Sequence, residues 1–229
     1  MQPCAAPPFA PDSERLCDPR WRAHDLLRLR RLPRLDGEPD WVREAFARAP
    51  FVVVRRAMAA PGFVAVGVRG EHRAQRYGTW AETGDIEEAI APEDFAASMP
   101  AAGRCLLPAF ATLAVLRHET ACLRALSWGP TGSAGFELAT HVPTVTVTSD
   151  LDLLIRSPRK LRRETAAQML AELQTRALHA GIRVDVQLET PAGGIGLAEW
   201  AGGKARVMAR HAEGPRLVAD PWAAAPEHA

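Results

Sequence analysis

The sequence lacks paired cysteines. Cys4, Cys17, Cys105 and Cys122 lie far apart, with no Cys-x-x-Cys pair and no Cys/His cluster at zinc spacing. Neither a disulfide framework nor a zinc site is supported. It also lacks an excess of charge of either sign: its 229 residues carry a formal net charge of +1. A strongly basic nucleic-acid binder is therefore disfavoured. No apolar run approaches the length that spans a bilayer. The first residues show no basic stretch followed by an apolar run, so no signal peptide is expected. These absences point to a cytoplasmic protein of a reducing compartment, without membrane or nucleic-acid partners.

Several chemical motifs are missing too. There is no Gly-x-Ser-x-Gly element, and Gly202-Gly203-Lys204 has no phosphate-loop context. Gly193-Gly194-Ile195-Gly196 lacks the spacing of a dinucleotide fingerprint, follows Pro191, and reads as a hairpin loop. The chain shows no internal repeat. Lysine occurs only at Lys160 and Lys204, whereas arginine is abundant. That excess fits recognition of phosphate or carboxylate, and equally fits a genomic bias toward Ala, Arg and Gly.

What is present divides the chain. Residues 1–20 are Pro-rich and read as an irregular tail. Residues 21–98 read as a small β-rich domain. In it His24 to Leu29 forms a short strand or helical turn, and Phe51–Val54 and Phe63–Val68 form paired strands around Pro61-Gly62. The stretch 86–103 mixes acid, proline and glycine, which places the boundary there. Residues 99–229 read as an α/β (α+β) catalytic domain, a mixed sheet with flanking helices. Leu106, Phe110, Leu113 and Leu116 predict a helix over 104–118. A strand follows over Ala121–Trp128, then a turn at Gly129–Gly132 and a short helix from Ser133. Val145–Ile155 reads as a strand, Pro158 opens a longer helix that Gly181 ends, and Ile182–Leu188 is the next strand. Short strands are expected near 204–210 and 215–219.

The chemistry gathers in Thr144 to Ile155. Alternation along a strand puts Val145, Val147, Leu151, Leu153 and Ile155 on an apolar face and Asp150 and Asp152 on the other. Two carboxylates so placed suit a pair of magnesium ions, which clamp the attacking and leaving oxygens of an in-line phosphoryl displacement. Asp185 faces the same way as Arg183 and Gln187, and on a neighbouring strand it becomes a third carboxylate, metal ligand or proton acceptor. Upstream, Gly132-Ser133 opens a helix whose first N–H groups suit phosphate. Each piece also has a plainer reading. Asp-x-Asp recurs in surface strands and calcium loops, a Gly-Ser pair is common, and Asp185 also reads as a solvated strand residue.

A Gly-Ser step, a helix and then Asp-Leu-Asp on the next strand resembles nucleotidyltransferases of the DNA polymerase beta type. The likeness extends further. Sixteen residues separate Ser133 from Asp150, and Thr148-Ser149-Asp150-Leu151-Asp152-Leu153-Leu154 resembles the holo-acyl-carrier-protein synthases of malonate decarboxylase. So do His24-Asp25-Leu26-Leu27, Val66-Gly67-Val68-Arg69, Glu199-Trp200 and Arg210 to Val218, so the resemblance covers about residues 22–222. The chain differs at Gly129-Pro130-Thr131 and Ala134-Gly135-Phe136 around the Gly-Ser step, and at Arg210, where members carry lysine.

The resemblance implies transfer of the phosphoribosyl-dephospho-CoA group from triphosphoribosyl-dephospho-CoA to a serine of the malonate decarboxylase acyl carrier subunit, releasing pyrophosphate. It implies Asp150 and Asp152 as catalytic, magnesium-binding aspartates. Asp185 is the expected third ligand, Gly132, Ser133 and Arg210 the phosphate-binding residues, and His24, Arg69 and Arg73 the groups that recognise donor or carrier. Solvated arginines on an exposed sheet face remain an alternative for the last set. Two other functions stay open: a different nucleotidyltransferase that adenylylates a protein or small molecule, and an inactive nucleotide-binding regulatory protein.

Overall fold

The computed structural model describes residues 20–223. The tail expected at residues 1–20 lies outside the described residues except for its last one, and so do Cys4 and Cys17. The chain divides into two compact units, one ending at Ala91 and one beginning at Pro92.

The first unit is a five-stranded antiparallel sheet, as its β-rich composition led one to expect. Its elements are β1 (Leu26–Leu29), α1 (Asp40–Arg48), β2 (Phe51–Val54), β3 (Phe63–Arg69), β4 (Arg76–Glu82) and β5 (Ile86–Ile90). The spatial order is β4-β3-β2-β1-β5. Strand alternation sorts the side chains. Leu27, Leu29, Val52, Val54, Val64, Val66, Val68, Tyr77 and Ala81 form one buried face, which packs on Val42 and Ala45 of α1. The opposite face carries Arg55, Gly67, Arg69 and Trp80. Helix α1, β4 and β5 were not legible in the sequence.

The second unit is a mixed sheet with helices. Its elements are α2 (Pro108–Glu119), β6 (Ser127–Pro130), α3 (Gly132–Thr140), β7 (Leu151–Arg156), α4 (Arg163–His179), β8 (Val184–Thr190), β9 (Gly193–Gly196), α5 (Leu197–Ala201), β10 (Val207–His211) and β11 (Gly214–Val218). The order is β11-β10-β9-β8-β7-β6. Only β7 and β8 run parallel, joined by α4 as a parallel pair requires. Leu151, Leu153, Ile155, Val186 and Leu188 are buried on one sheet face. Phe110, Leu113 and Leu116 of α2 and Ala166, Met169, Leu173 and Ala177 of α4 are buried with them. No helix among the described residues is long and apolar enough to cross a membrane.

Several expected boundaries move, each for a local reason. The strand expected over Val145–Ile155 begins only at Leu151. Ahead of it the hydroxyls compete with the ladder: the Thr146 N–H donates to Ser149 Oγ at 2.9 Å and the Thr148 N–H to Thr146 Oγ1 at 3.3 Å. Val147 is therefore 70% exposed rather than on an apolar face. The helix expected from residue 104 starts at Pro108, because Arg104 is drawn away to Glu137. The strand expected over Ala121–Trp128 is a 3-10 turn at Ala121–Leu123 followed by β6. Helix α4 starts at Arg163 rather than Pro158. Trp200 Nε1 binds the Leu161 carbonyl at 2.9 Å, and the Arg163 guanidinium stacks 3.9 Å above the Trp200 ring. The expected hairpin loop at Gly193–Gly196 is a central strand, anchored by the fully buried Ile195.

One buried carboxylate ties this unit together. Glu137 of α3 is only 5% exposed. It accepts both arms of Arg104, at 2.7 and 2.9 Å, and the N–H groups of Thr144 and Val145, each at 2.7 Å. Burial opposes its ionisation, but the Arg104 guanidinium and the two backbone donors outweigh it and hold the carboxyl below the ordinary glutamate range. Because the folded value is depressed, the stabilisation is complete above the unfolded value, about pH 4.3, and is lost as pH falls through the folded one. Glu137→Ala leaves the half-buried Arg104 guanidinium and two N–H groups without their acceptor and should lower unfolding stability by about 1–3 kcal/mol at pH 7. In urea titrations between pH 3 and 7, Glu137→Gln should lose part of the parent's additional destabilisation below about pH 4.3.

Candidate active site

The site begins where β6 ends. Pro130 closes β6 and Thr131 turns the chain, its N–H donating to the Asp152 carbonyl on β7 at 2.8 Å. Gly132 then takes a left-handed backbone, φ 59°, which L side chains adopt only at a cost. Any Cβ at this position would collide with the Asp152 carboxylate. Glycine is thus required twice, for the turn and for the space that the Asp152 carboxylate fills. Ser133 follows in the first turn of α3, where N–H groups have no helical acceptor. Its carbonyl accepts Thr144 Oγ1 at 3.0 Å, so the loop that leads to Asp150 is tied to the same helix end.

Asp152 lies in β7, and its register partner on the parallel strand β8 is Asp185. Paired residues in adjacent strands share a sheet face, so Asp152 and Asp185 stand side by side. Asp150 sits in the turn just before β7 rather than within the strand, while the Leu151 N–H already pairs with the Arg183 carbonyl at 2.9 Å. Asp185 is exposed and lies 3.6 Å from Arg183, a surface contact of small energy. Among the described residues no three Asp, Glu, His or Cys side chains are gathered closely enough to hold a metal ion by themselves.

Magnesium does not require such a cage. It commonly takes one or two carboxylates and completes its shell with phosphate oxygens and water. Asp150, just before β7, and Asp152, whose carboxylate lies against Gly132, are donors of that kind.

Arg210 of β10 reaches the same face, with Nη1 3.5 Å from Gln187 Oε1 on β8. Gln187 is two residues from Asp185, so the carboxylates, the amide and the guanidinium occupy one surface. Arg156, at the far end of β7, is held by Glu93 at 3.4 Å. His24, Arg69 and Arg73 belong to the first unit. His24 has φ 73° and its Nε2 lies 3.2 Å from Arg56 Nη1. Arg69 pairs across strands with Arg76 on the face opposite the core, and Arg73 is exposed in the turn between β3 and β4. Two residues that matter for the site's geometry escaped sequence reasoning, Arg104 and Glu137. A glutamate inside the apolar run Ala134–Ala139 was the available signal, because a charge there needs a buried partner.

Comparison with known proteins identifies the family. Residues 97–221 match the phosphoribosyl-dephospho-CoA transferase MdcG C-terminal domain, and residues 22–92 match the N-terminal domain of the same family. A phosphoribosyl-dephospho-CoA transferase of Pseudomonas putida strain W619 is 46% identical over 80% of this chain and 86% of its own. One from Azotobacter vinelandii is 43% identical over 87% and 93%, respectively. The chain belongs to the phosphoribosyl-dephospho-CoA transferase family. No solved structure matches it. The carboxylates, Gly132, Ser133 and Arg210 fall within the family's C-terminal domain, and His24, Arg69 and Arg73 within its N-terminal domain.

Gly132→Ala tests the tight approach to Asp152. The left-handed backbone alone should cost about 1–2 kcal/mol of stability. Displacement of the Asp152 carboxylate should lower the transfer rate about 100-fold, the order seen when one preorganised electrostatic contact is lost. A variant with parental turnover would show that the closeness of Gly132 and Asp152 has no bearing on catalysis.

Proposed function

We propose that this protein transfers the phosphoribosyl-dephospho-CoA group of triphosphoribosyl-dephospho-CoA to a serine of the malonate decarboxylase acyl carrier subunit, releasing pyrophosphate. The observation that carries this reading is the Gly132-Ser133 helix start set against Asp152 and Asp185, in a chain that matches both domains of the transferase family. Relatives from Pseudomonas and Azotobacter bear the transferase's name.

The reaction needs little covalent participation by the protein. The carrier serine Oγ attacks the α-phosphorus, a new P–O bond forms in line, and the bond to the departing pyrophosphate breaks. The hydroxyl proton must go to a base, and Asp185, beside Asp152 and exposed to solvent, is positioned to accept it. The first N–H groups of α3 hold phosphate oxygens, with Gly132 permitting close approach. Asp150 and Asp152 would hold magnesium, which when bound would neutralise charge on the leaving pyrophosphate. Arg210 adds a fixed positive charge on the same face.

In the first unit Arg69, Arg76 and Arg55 share one sheet face and Arg73 stands in the adjoining turn. This basic surface fits the donor's phosphates or an acidic carrier, with His24 at its margin.

The direct test combines purified protein, triphosphoribosyl-dephospho-CoA, magnesium and apo carrier subunit, and follows the carrier mass and released pyrophosphate. Asp150→Ala and Asp152→Ala should each lower the rate at least about 100-fold while thermal unfolding stays near parental. Transfer of adenylate from ATP, with none from the CoA donor, would replace this reading by another nucleotidyltransferase activity. For the arginine surface, Arg69→Ala combined with Arg73→Ala should weaken donor or carrier binding and flatten its salt dependence. Unchanged affinities at low and moderate salt would leave these arginines as solvated residues.

A further inference from the structure

The open face of the second sheet continues well past the carboxylates. On β6 and β7 this face is covered. Gly129 pairs with Leu154, and a Cβ on Gly129 would strike the backbone of Pro92. Leu154 is buried beneath that cover. From β8 onward the cover ends: Asp185, Met208 and Leu217 are exposed. A long substrate anchored at Asp152 therefore has one direction available on the sheet, across β8, β9 and β10 to β11.

Register defines what it would meet. Gln187 pairs with Gly196, Gly194 pairs with Arg210, and Met208 pairs with Leu217. With alternation along each strand, these residues share the face of Asp152 and Asp185. Gly196 is the informative member. Its φ is −74°, an ordinary value for any residue. A Cβ there would meet nothing nearer than 3.8 Å, the Cβ of Glu199. Neither backbone nor internal packing calls for glycine, yet the position is bare. Beside it Arg210 makes one long hydrogen bond to Gln187 and has no anionic partner among the described residues. At the outer edge Met208 and Leu217 are 37% and 50% exposed, two large apolar side chains side by side on a half-open sheet.

Resting on the transferase reading above, we propose that this strip, floored at Gly196, binds the dephospho-CoA part of the donor. Arg210 takes the diphosphate that links adenosine to pantetheine, and Met208 and Leu217 receive the pantetheine arm. The order suits the molecule. The Arg210 guanidinium reaches back to Gln187 Oε1 on β8, 3.5 Å away, and so stands between the carboxylates and the apolar pair, in the order in which the donor's triphosphoribosyl, diphosphate and pantetheine parts follow one another. A guanidinium with no anionic partner among the described residues matches the diphosphate's charge, and the apolar pair matches the one largely uncharged segment of the donor.

The test measures binding by calorimetry with two probes, dephospho-CoA and ADP, which lacks pantetheine. The parent protein should bind both. Gly196→Val should weaken both roughly tenfold or more by occupying the floor. Met208→Ser with Leu217→Ser should weaken dephospho-CoA by a similar factor and leave ADP unchanged. Thermal midpoints identify any variant that fails to fold, and Gly196→Ala serves as the milder replacement at that position. Parental affinity for dephospho-CoA in the folded variants, or no binding by the parent, overturns the proposal. Because the probes require no transfer, the two readings fail separately. Binding as expected without transfer to the carrier would refute the reaction and keep the strip, whereas transfer with parental KM in both variants would refute the strip and keep the reaction.

Discussion

The buried Glu137 carboxylate is the contact on which the second unit's geometry depends. It is an anion in a place where an unpaired charge would be untenable, and four donors from two other segments converge on it. One is the helix-free stretch that carries Arg104, and the other is the loop that descends to Asp150. Arg104 closes the arrangement by also donating to the Val145 carbonyl at 2.8 Å. Through this cluster the start of α3 and the approach to β7 are held as one piece. That is what a site made of a helix terminus and a following strand requires, since errors of an ångström in such an arrangement cost much of the rate.

The sheet then divides labour between its faces. One is apolar and covered by helices. The other begins with Asp152 and Asp185 and runs outward over polar and bare positions. The parallel β7–β8 pair is central to this division. Parallel pairing requires the long crossover through α4, and the resulting register sets Asp152 directly beside Asp185 rather than a residue away. A slip of one position would have sent one carboxylate into the apolar core. At the far side of the unit, Trp200 and Trp222 pack edge to face with centroids 5.1 Å apart, and Trp222 Nε1 binds the Ser157 carbonyl at 2.7 Å. The residue that follows β7 is thereby tied to Trp222.

The first unit solves a different problem with the same alternation. Its buried face is nearly all valine and leucine, and its charges are settled at the margin. Asp85 there is buried and accepts Arg31 Nε at 2.6 Å and Arg30 Nη2 at 2.8 Å. Arg43 grips Glu38 and the Leu32 and Pro33 carbonyls, fixing the entry to α1.

Sequence by itself determined the class of this protein: the β-rich first part, the mixed α/β second part, the order of Gly-Ser, helix and Asp-x-Asp, and the family those residues resemble. These are local properties, written in alternation, in turn residues and in short motifs. Tertiary structure decided the rest. Thr146 and Ser149 satisfy each other and shorten the expected strand, and Arg104 leaves its helix for Glu137. Gly193–Gly196 becomes a central strand because Ile195 can be buried between neighbours. That Asp185 stands beside Asp152, that Gly132 has no room for a Cβ and that Gly196 has room to spare depend on partners distant in the chain. Such partners leave no periodic trace, because a contact between residues 132 and 152, or 187 and 210, is fixed only when the strands between them are paired.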